Sequence, residues 1–199
     1  MVNVKVCGLT RVADVAAALE SGADALGFVF EPSSPRYIGE NLGLLSFLSE
    51  LRIKQPLVAV FGECPGFVDP SFRLVQATKF TGATLGMKFL TVRPTPGFDL
   101  AACRAEAEAE QVVALVVDAY HPDRAGGTGE LVDFDFAKKI VQDLPFPVFL
   151  AGGLNPDNVA EAIRYVAPYG VDASSGLESS PGVKDPALIQ AFVEAAKNA

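Results

Sequence analysis

The stretch PVFLAGGLNPDNVAEAIRYVAPYGVDASSG, residues 147–176, reads as strand, turn, helix and strand in succession. An apolar run (147–153) ends on Gly152-Gly153, and Asn155-Pro156 then opens a helix as cap and first-turn proline. A second strand (171–176) ends on Ser174-Ser175-Gly176, and Asp185-Pro186 opens the last helix. A helix set between two strands is the repeating unit of a parallel sheet.

The same alternation continues back to the start of the chain. Strands are expected at 3–7, 24–30, 56–62, 73–80, 83–92 and 112–118, and helices at 11–22, 40–52, 99–111 and 133–144. Eight strands with helices between most of them predict a closed (β/α)8 barrel in a single domain, residues 1–199, near the lower size limit of that fold. An open doubly wound sheet is the alternative, but CGLTRV (7–12) after the first strand is not the GxGxxG fingerprint. One quadrant is tight. Phe61 and Met87 lie too close in sequence for two helices and a strand, with room for one short helix near 68–75. The helix around strands four and five is therefore expected to be shortened or missing.

Composition excludes several classes of function. Half of the 199 residues are hydrophobic, ample for a core, and the net charge of −8 argues against nucleic-acid or anionic-membrane partners. Three cysteines without a CxxC pair fit a reducing cytoplasm rather than a disulfide or zinc framework. No signal peptide is visible, and VVALVV (112–117) is too short to span a bilayer. No metal or cofactor site is expected. His121 is the only histidine, without a GxSxG elbow or an HExxH pair.

Both glycine-containing turns of the opening stretch follow strands, the seventh and the eighth. Loops at those positions of a barrel often bind phosphate, because backbone N–H groups can approach an anion there. Gly152, Gly153, Ser174, Ser175 and Gly176 are the candidates, and a phosphorylated small molecule is the implied partner. Asp118 ends the sixth strand and Cys7 the first, at the rim where barrel enzymes carry their chemistry. A strand-end cysteine is ordinarily a small core hydrophobe and a strand-end aspartate a loop cap. Beside a phosphate site, a thiol and a carboxylate form a candidate base and acid. Arg36, in the loop after the second strand, is ordinarily solvated; facing inward, its fork suits a carboxylate. Cys64, Cys103 and the AEAEAE run (105–110) read as ordinary structural residues.

The motifs KVCGLTR (5–11), SGADALGFVFEPSSPRYI (21–38), VAVF (58–61), GGTGELVDFDF (126–136), LAGGLNPDNV (150–159) and VDASSGLESSPGVKD (171–185) occur in this order. Together they resemble the phosphoribosylanthranilate isomerases of tryptophan biosynthesis. That resemblance implies a (β/α)8 barrel and a cofactor-free Amadori rearrangement of N-(5-phosphoribosyl)anthranilate. Cys7 then matches the general base, Asp118 the general acid, Arg36 the residue meeting the anthranilate carboxylate and Asp172 an acidic residue near substrate. Gly152, Gly153, Ser174, Ser175 and Gly176 match the phosphate loops. The chain departs from the family in the tight quadrant. Where the family has a QLHG-like strand end, VQATKF (75–80) keeps only Gln76 and has no histidine.

A thiol acting as base implies a depressed pKa, to which Lys5, one layer below Cys7, could contribute. Other phosphate-binding barrel isomerases, of the histidine pathway or with dual substrates, resemble the chain at the phosphate loops but use aspartate where Cys7 stands. A non-catalytic phosphate-binding or partner module is the third alternative.

Overall fold

In the computed structural model, which describes residues 1–199 apart from 67, 83, 85, 96 and 120–131, eight parallel strands close into a barrel. They are β1 (Asn3–Val6), β2 (Ala25–Val29), β3 (Leu57–Val60) and β4 (Leu74–Ala77). The other half holds β5 (Met87–Val92), β6 (Ala114–Val117), β7 (Val148–Leu150) and β8 (Gly170–Ala173). Each strand pairs with its sequence neighbours, and β8 closes on β1 in a register from Asn3↔Gly170 to Val6↔Ala173.

β6 shows why these runs look continuously apolar. Ala114 and Val116 belong to the barrel interior, and Leu115 and Val117 to the layer under the helices. Both faces are buried, as in parallel sheets generally. The interior is filled by Val58, Leu74, Phe89, Val116 and Phe149, with the Phe89 and Phe149 rings 5.3 Å apart.

The outer layer holds α1 (Val12–Glu20), α2 (Leu42–Glu50), α3 (Leu100–Ala109), α4 (Phe134–Asp143), α5 (Val159–Val166) and α6 (Pro186–Lys197). Asn41, Asp99, Asp133 and Asp185 each cap a helix by accepting N–H bonds from its first turn. The start expected at Asn155-Pro156 is corrected: α5 begins at Val159. Asn155 Oδ1 instead accepts from the N–H groups of Asp157 and Asn158, forming a turn before the helix. Asn158 is tied back to the strand end, since its Nδ2 donates to Gly153 O at 3.0 Å.

The tight quadrant lacks helix altogether among its described residues. The short helix considered near 68–75 is replaced by a turn in which Asp69 accepts from the N–H groups of Ser71 and Phe72. Glu63–Cys64 pairs with Lys79–Phe80 in a small parallel ladder outside the barrel. The outer face of β4 is thus covered by loop residues: Val75 and Ala77 pack with Cys64, Phe61, Val68 and Phe80.

The expected strand at 171–176 ends sooner, at Ala173, and passes into a single 3₁₀ turn, Ser175–Leu177. An antiparallel hairpin follows, Glu178–Ser180 with Val183–Lys184. Among the described residues no helix is long and apolar enough to cross a membrane. His121 lies outside the described residues.

Candidate active site

The C-terminal ends of the strands surround a cavity of ≈ 610 Å³. Every candidate residue except Gly176 lines it: Cys7, Arg36, Asp118, Gly152, Gly153, Asp172, Ser174 and Ser175. Barrel closure brings together side chains that are far apart in sequence. Gly176 sits next to this wall in the 3₁₀ turn.

Cys7 follows β1, and its backbone N–H donates to Ala173 O at 2.9 Å. Its thiol needs room that β2 provides, because a Cβ at Gly27 would stand 2.7 Å from Cys7 Sγ. One layer down, the fully buried Lys5 donates from Nζ to Asp172 Oδ2 at 2.7 Å, with Asp172 Oδ1 left without a partner. The β1–β8 register places these two residues side by side. Burial opposes the Lys5 ammonium, but the charges of Asp172 and Cys7 outweigh it and its pKa is raised. The expected depression of the Cys7 pKa is corrected. Burial pushes the thiol up, and the opposing pull of Lys5 and Lys184 does not reverse the shift. Burial raises the Asp172 carboxyl as well, against the pull of Lys5.

Asp118 follows β6, its backbone N–H held by Val92 O at 2.9 Å. Its Oδ1 accepts from Ala119 N at 2.9 Å, and its Oδ2 lies 3.6 Å from Arg93 Nη2. Burial raises this carboxyl; Asp172 adds to the shift and Arg93 opposes it. A carboxyl that retains its proton more readily is suited to donate one.

Arg36 is buried and lines the cavity rather than being solvated, and its fork is already engaged. Nε and Nη2 donate to the two carboxylate oxygens of Glu178, each at 2.7 Å. The buried Lys184 reaches the same Glu178 at 2.7 Å and also donates to Ser174 O at 2.9 Å. Burial would raise the Glu178 carboxyl, yet hydrogen bonds from Arg36 and Lys184 hold it below its ordinary value. Glu178, Lys184 and Arg93 were not singled out in the sequence. Arg93 had a usable signal, since it directly follows an apolar strand as Asp118 does. Gln76, on β4, lines the cavity and donates from Nε2 to Thr91 Oγ1 at 3.2 Å.

The wall made by the ends of β7 and β8 presents backbone donors. The N–H groups of Gly153, Ser175 and Gly176 have no protein acceptor among the described residues. Gly152 (φ +88°) and Gly153 (φ +68°) turn the chain through left-handed conformations. A Cβ at Gly152 would also meet Ala119 N at 2.5 Å, so the loop is packed against the β6 end.

Comparison with known proteins bears on this arrangement. The family description N-(5'-phosphoribosyl)anthranilate isomerase matches residues 93–195. The chain is 39% identical to the N-(5'-phosphoribosyl)anthranilate isomerase of Chlorobium chlorochromatii, over 99% of this chain and 97% of that protein. The crystal structure of phosphoribosyl anthranilate isomerase from Thermotoga maritima superposes with a TM-score of 0.75, at 29% identity, covering 100% of both chains. A phosphoribosyl anthranilate isomerase in complex with reduced 1-(o-carboxyphenylamino)-1-deoxyribulose 5-phosphate gives a TM-score of 0.75 at 28% identity, again over 100% of both chains.

Proposed function

Because the chain belongs to the N-(5'-phosphoribosyl)anthranilate isomerase family of tryptophan biosynthesis, we propose that its rim cavity performs that isomerisation with Cys7 as base and Asp118 as acid. One observation carries the reading. A buried thiol and a proton-retaining carboxyl end β1 and β6 at one cavity, whose β7–β8 wall offers unbonded backbone N–H groups.

The substrate phosphate sits at the N–H groups of Gly153, Ser175 and Gly176, with Gly152 shaping the turn and Ser174 beside it. Asp118 donates its proton to the furanose ring oxygen as the C1′–O bond breaks, leaving a Schiff base between the sugar and the aromatic amine. The iminium acidifies the C2′ proton, which passes to Cys7, and the released electron pair forms an enolamine. Tautomerisation of the enolamine gives the ketose product. Lys5 and Lys184 favour the thiolate and so act against its burial. Asp172 fixes Lys5 beneath the base through its Oδ2. Arg36, oriented by Glu178, borders the substrate with the remainder of its guanidinium.

The test is turnover of freshly generated phosphoribosylanthranilate by the purified protein, followed as loss of its fluorescence. Saturable turnover is expected. Its absence in folded protein would contradict the reading.

A further inference from the structure

Asp118 has to give up a proton inside a wall that opposes the charge this leaves behind. Burial and the nearby Asp172 both make the carboxyl hold its proton more tightly. Among the described residues, the other ionisable groups lining the cavity are Cys7, Glu31, Arg36, Arg93 and Asp172. Three of these are anionic when charged. Of the two cations, Arg36 is committed to Glu178 through two bonds at 2.7 Å. Behind the wall, Lys5 is held by Asp172 and Lys184 by Glu178, each at 2.7 Å. Arg93 is the remaining cation, and the chemistry above gives it no task.

Strand pairing decides where Arg93 stands. β5 and β6 run in register up to Val92↔Val117, and the Asp118 N–H donates to Val92 O at 2.9 Å. The residues that follow the two strands are therefore neighbours at the rim. Asp118 Oδ1 accepts from Ala119 N at 2.9 Å, which leaves Oδ2 for Arg93, 3.6 Å from Nη2. That gap is longer than the ~2.7–2.9 Å of a charge-assisted bond. Arg93 Nε is buried with no hydrogen-bond partner among the described residues. The guanidinium thus stands near the acid without being locked onto it.

The spacing has a chemical consequence. A closed ion pair would hold Asp118 as a carboxylate, with no proton to give. With no cation nearby, the buried acid would keep its proton too tightly for transfer to a weakly basic ring oxygen. Both side chains are largely buried, 24% and 20% exposed, so their attraction is screened less than that of surface charges. We propose that Arg93 is the positioning residue of the acid, set back from Asp118 while the carboxyl is protonated and closing on Oδ2 as the proton leaves. The proton passes to the furanose oxygen, the C1′–O electron pair stays on that oxygen, and Arg93 keeps all its own protons. Arg93 thereby sets how readily the acid lets go. The assignment rests on the isomerase reading above, with Asp118 as its acid.

The test reads Asp118 directly and through turnover. In protein carrying 13C at the aspartate side-chain carboxyls, the Asp118 signal is the one missing from Asp118→Asn, and NMR follows its titration. Arg93→Met should move that titration up by roughly one pH unit or more, the scale of losing an opposite charge at this range. In the pH profile of kcat/KM, the two limb positions should rise by the same amount in sum, whichever residue yields its proton first. Arg93→Lys should lie between, since an ammonium keeps the charge and loses the fork. A residue that only packed the wall would change turnover without moving the titration. An Asp118 titration unchanged in Arg93→Met, or a shift there that the limbs do not follow, overturns the assignment. If Arg93→Met does not fold, Arg93→Gln takes its place in both readouts. Failure of the isomerase reading shows separately, as wild-type protein that does not turn over phosphoribosylanthranilate whatever the titration of Asp118 does.

Discussion

Burial raises the Cys7 thiol, while the ammonium groups of Lys5 and Lys184 pull it the other way. Asp118 is raised too, again with burial as the main cause. In the proposed mechanism the active pair has one proton, on Asp118 and not on Cys7. kcat/KM therefore rises with pH as the first proton leaves the pair and falls as the second leaves. Both limbs belong to the pair rather than to either residue. Relative to ordinary groups at 3.8 and 9.0, both limbs are expected to be displaced upward. A pH–rate profile whose descending limb lies below the ordinary thiol value would contradict this. Gly27 supplies a second test at this scale. Gly27→Ala puts a methyl 2.7 Å from Cys7 Sγ unless something shifts. The expected outcome is a kcat loss of at least about tenfold with little change in KM, from displacement of the base by a fraction of an ångström. Unchanged kcat in that variant would separate the thiol's position from its function.

The hairpin after β8 holds Glu178 and Lys184 against Arg36, a contact between residues 142 positions apart in the chain. Its folded carboxyl sits below the ordinary 4.5, so its stabilisation is present above the unfolded value and is lost as pH falls through the folded one. Glu178→Gln leaves two buried cations without their counter-charge and should cost ~3 kcal/mol near neutrality. Denaturant melts at pH 7 and pH 3 check this: the gap between wild type and variant should narrow at the lower pH. The cover of β4 predicts a separate effect. Val75→Ala removes fully buried methyls beneath a loop rather than a helix and should cost about 2 kcal/mol in the same melts. The strands were legible because parallel strands buried on both faces are unbroken apolar runs, and the rim positions of Cys7 and Asp118 followed from where those runs end. Chain spacing between Phe61 and Met87 indicated that helix would be shortened or missing there. It did not indicate that Cys64, Phe61 and Phe80 would take its place, since that packing is tertiary. Asn155-Pro156 misplaced a helix start because the local asparagine signal serves a turn as readily as a cap. Glu178 and Lys184 were opaque for another reason: their roles exist only in contact with Arg36 and Ser174.

At the scale of the molecule, closure of β8 on β1 sets the β7–β8 wall beside Cys7 and brings Asp118 to the same cavity. Loss of helix in one quadrant leaves that geometry intact, because β4 still pairs with both neighbours. The wall and the chemistry should therefore be separable. Gly153→Asp adds a like charge at the proposed phosphate site, so KM should rise at least about tenfold in a protein that still folds, with some loss of thermal stability from the left-handed backbone there. An unchanged KM would move the phosphate elsewhere. The acid–base assignment depends on closure in a different way, since its two residues share no local structure and meet only across the cavity. Measuring kcat for Cys7→Ser, Asp118→Asn and the double variant tests it most directly. A hydroxyl that stays protonated replaces the base, and an amide that cannot donate an acidic proton replaces the acid. Each single variant should lose ~10² or more in kcat with smaller changes in KM, and the double should be little worse than the poorer single. Near-wild-type kcat in Cys7→Ser would contradict the account and leave this cysteine an inert part of the core.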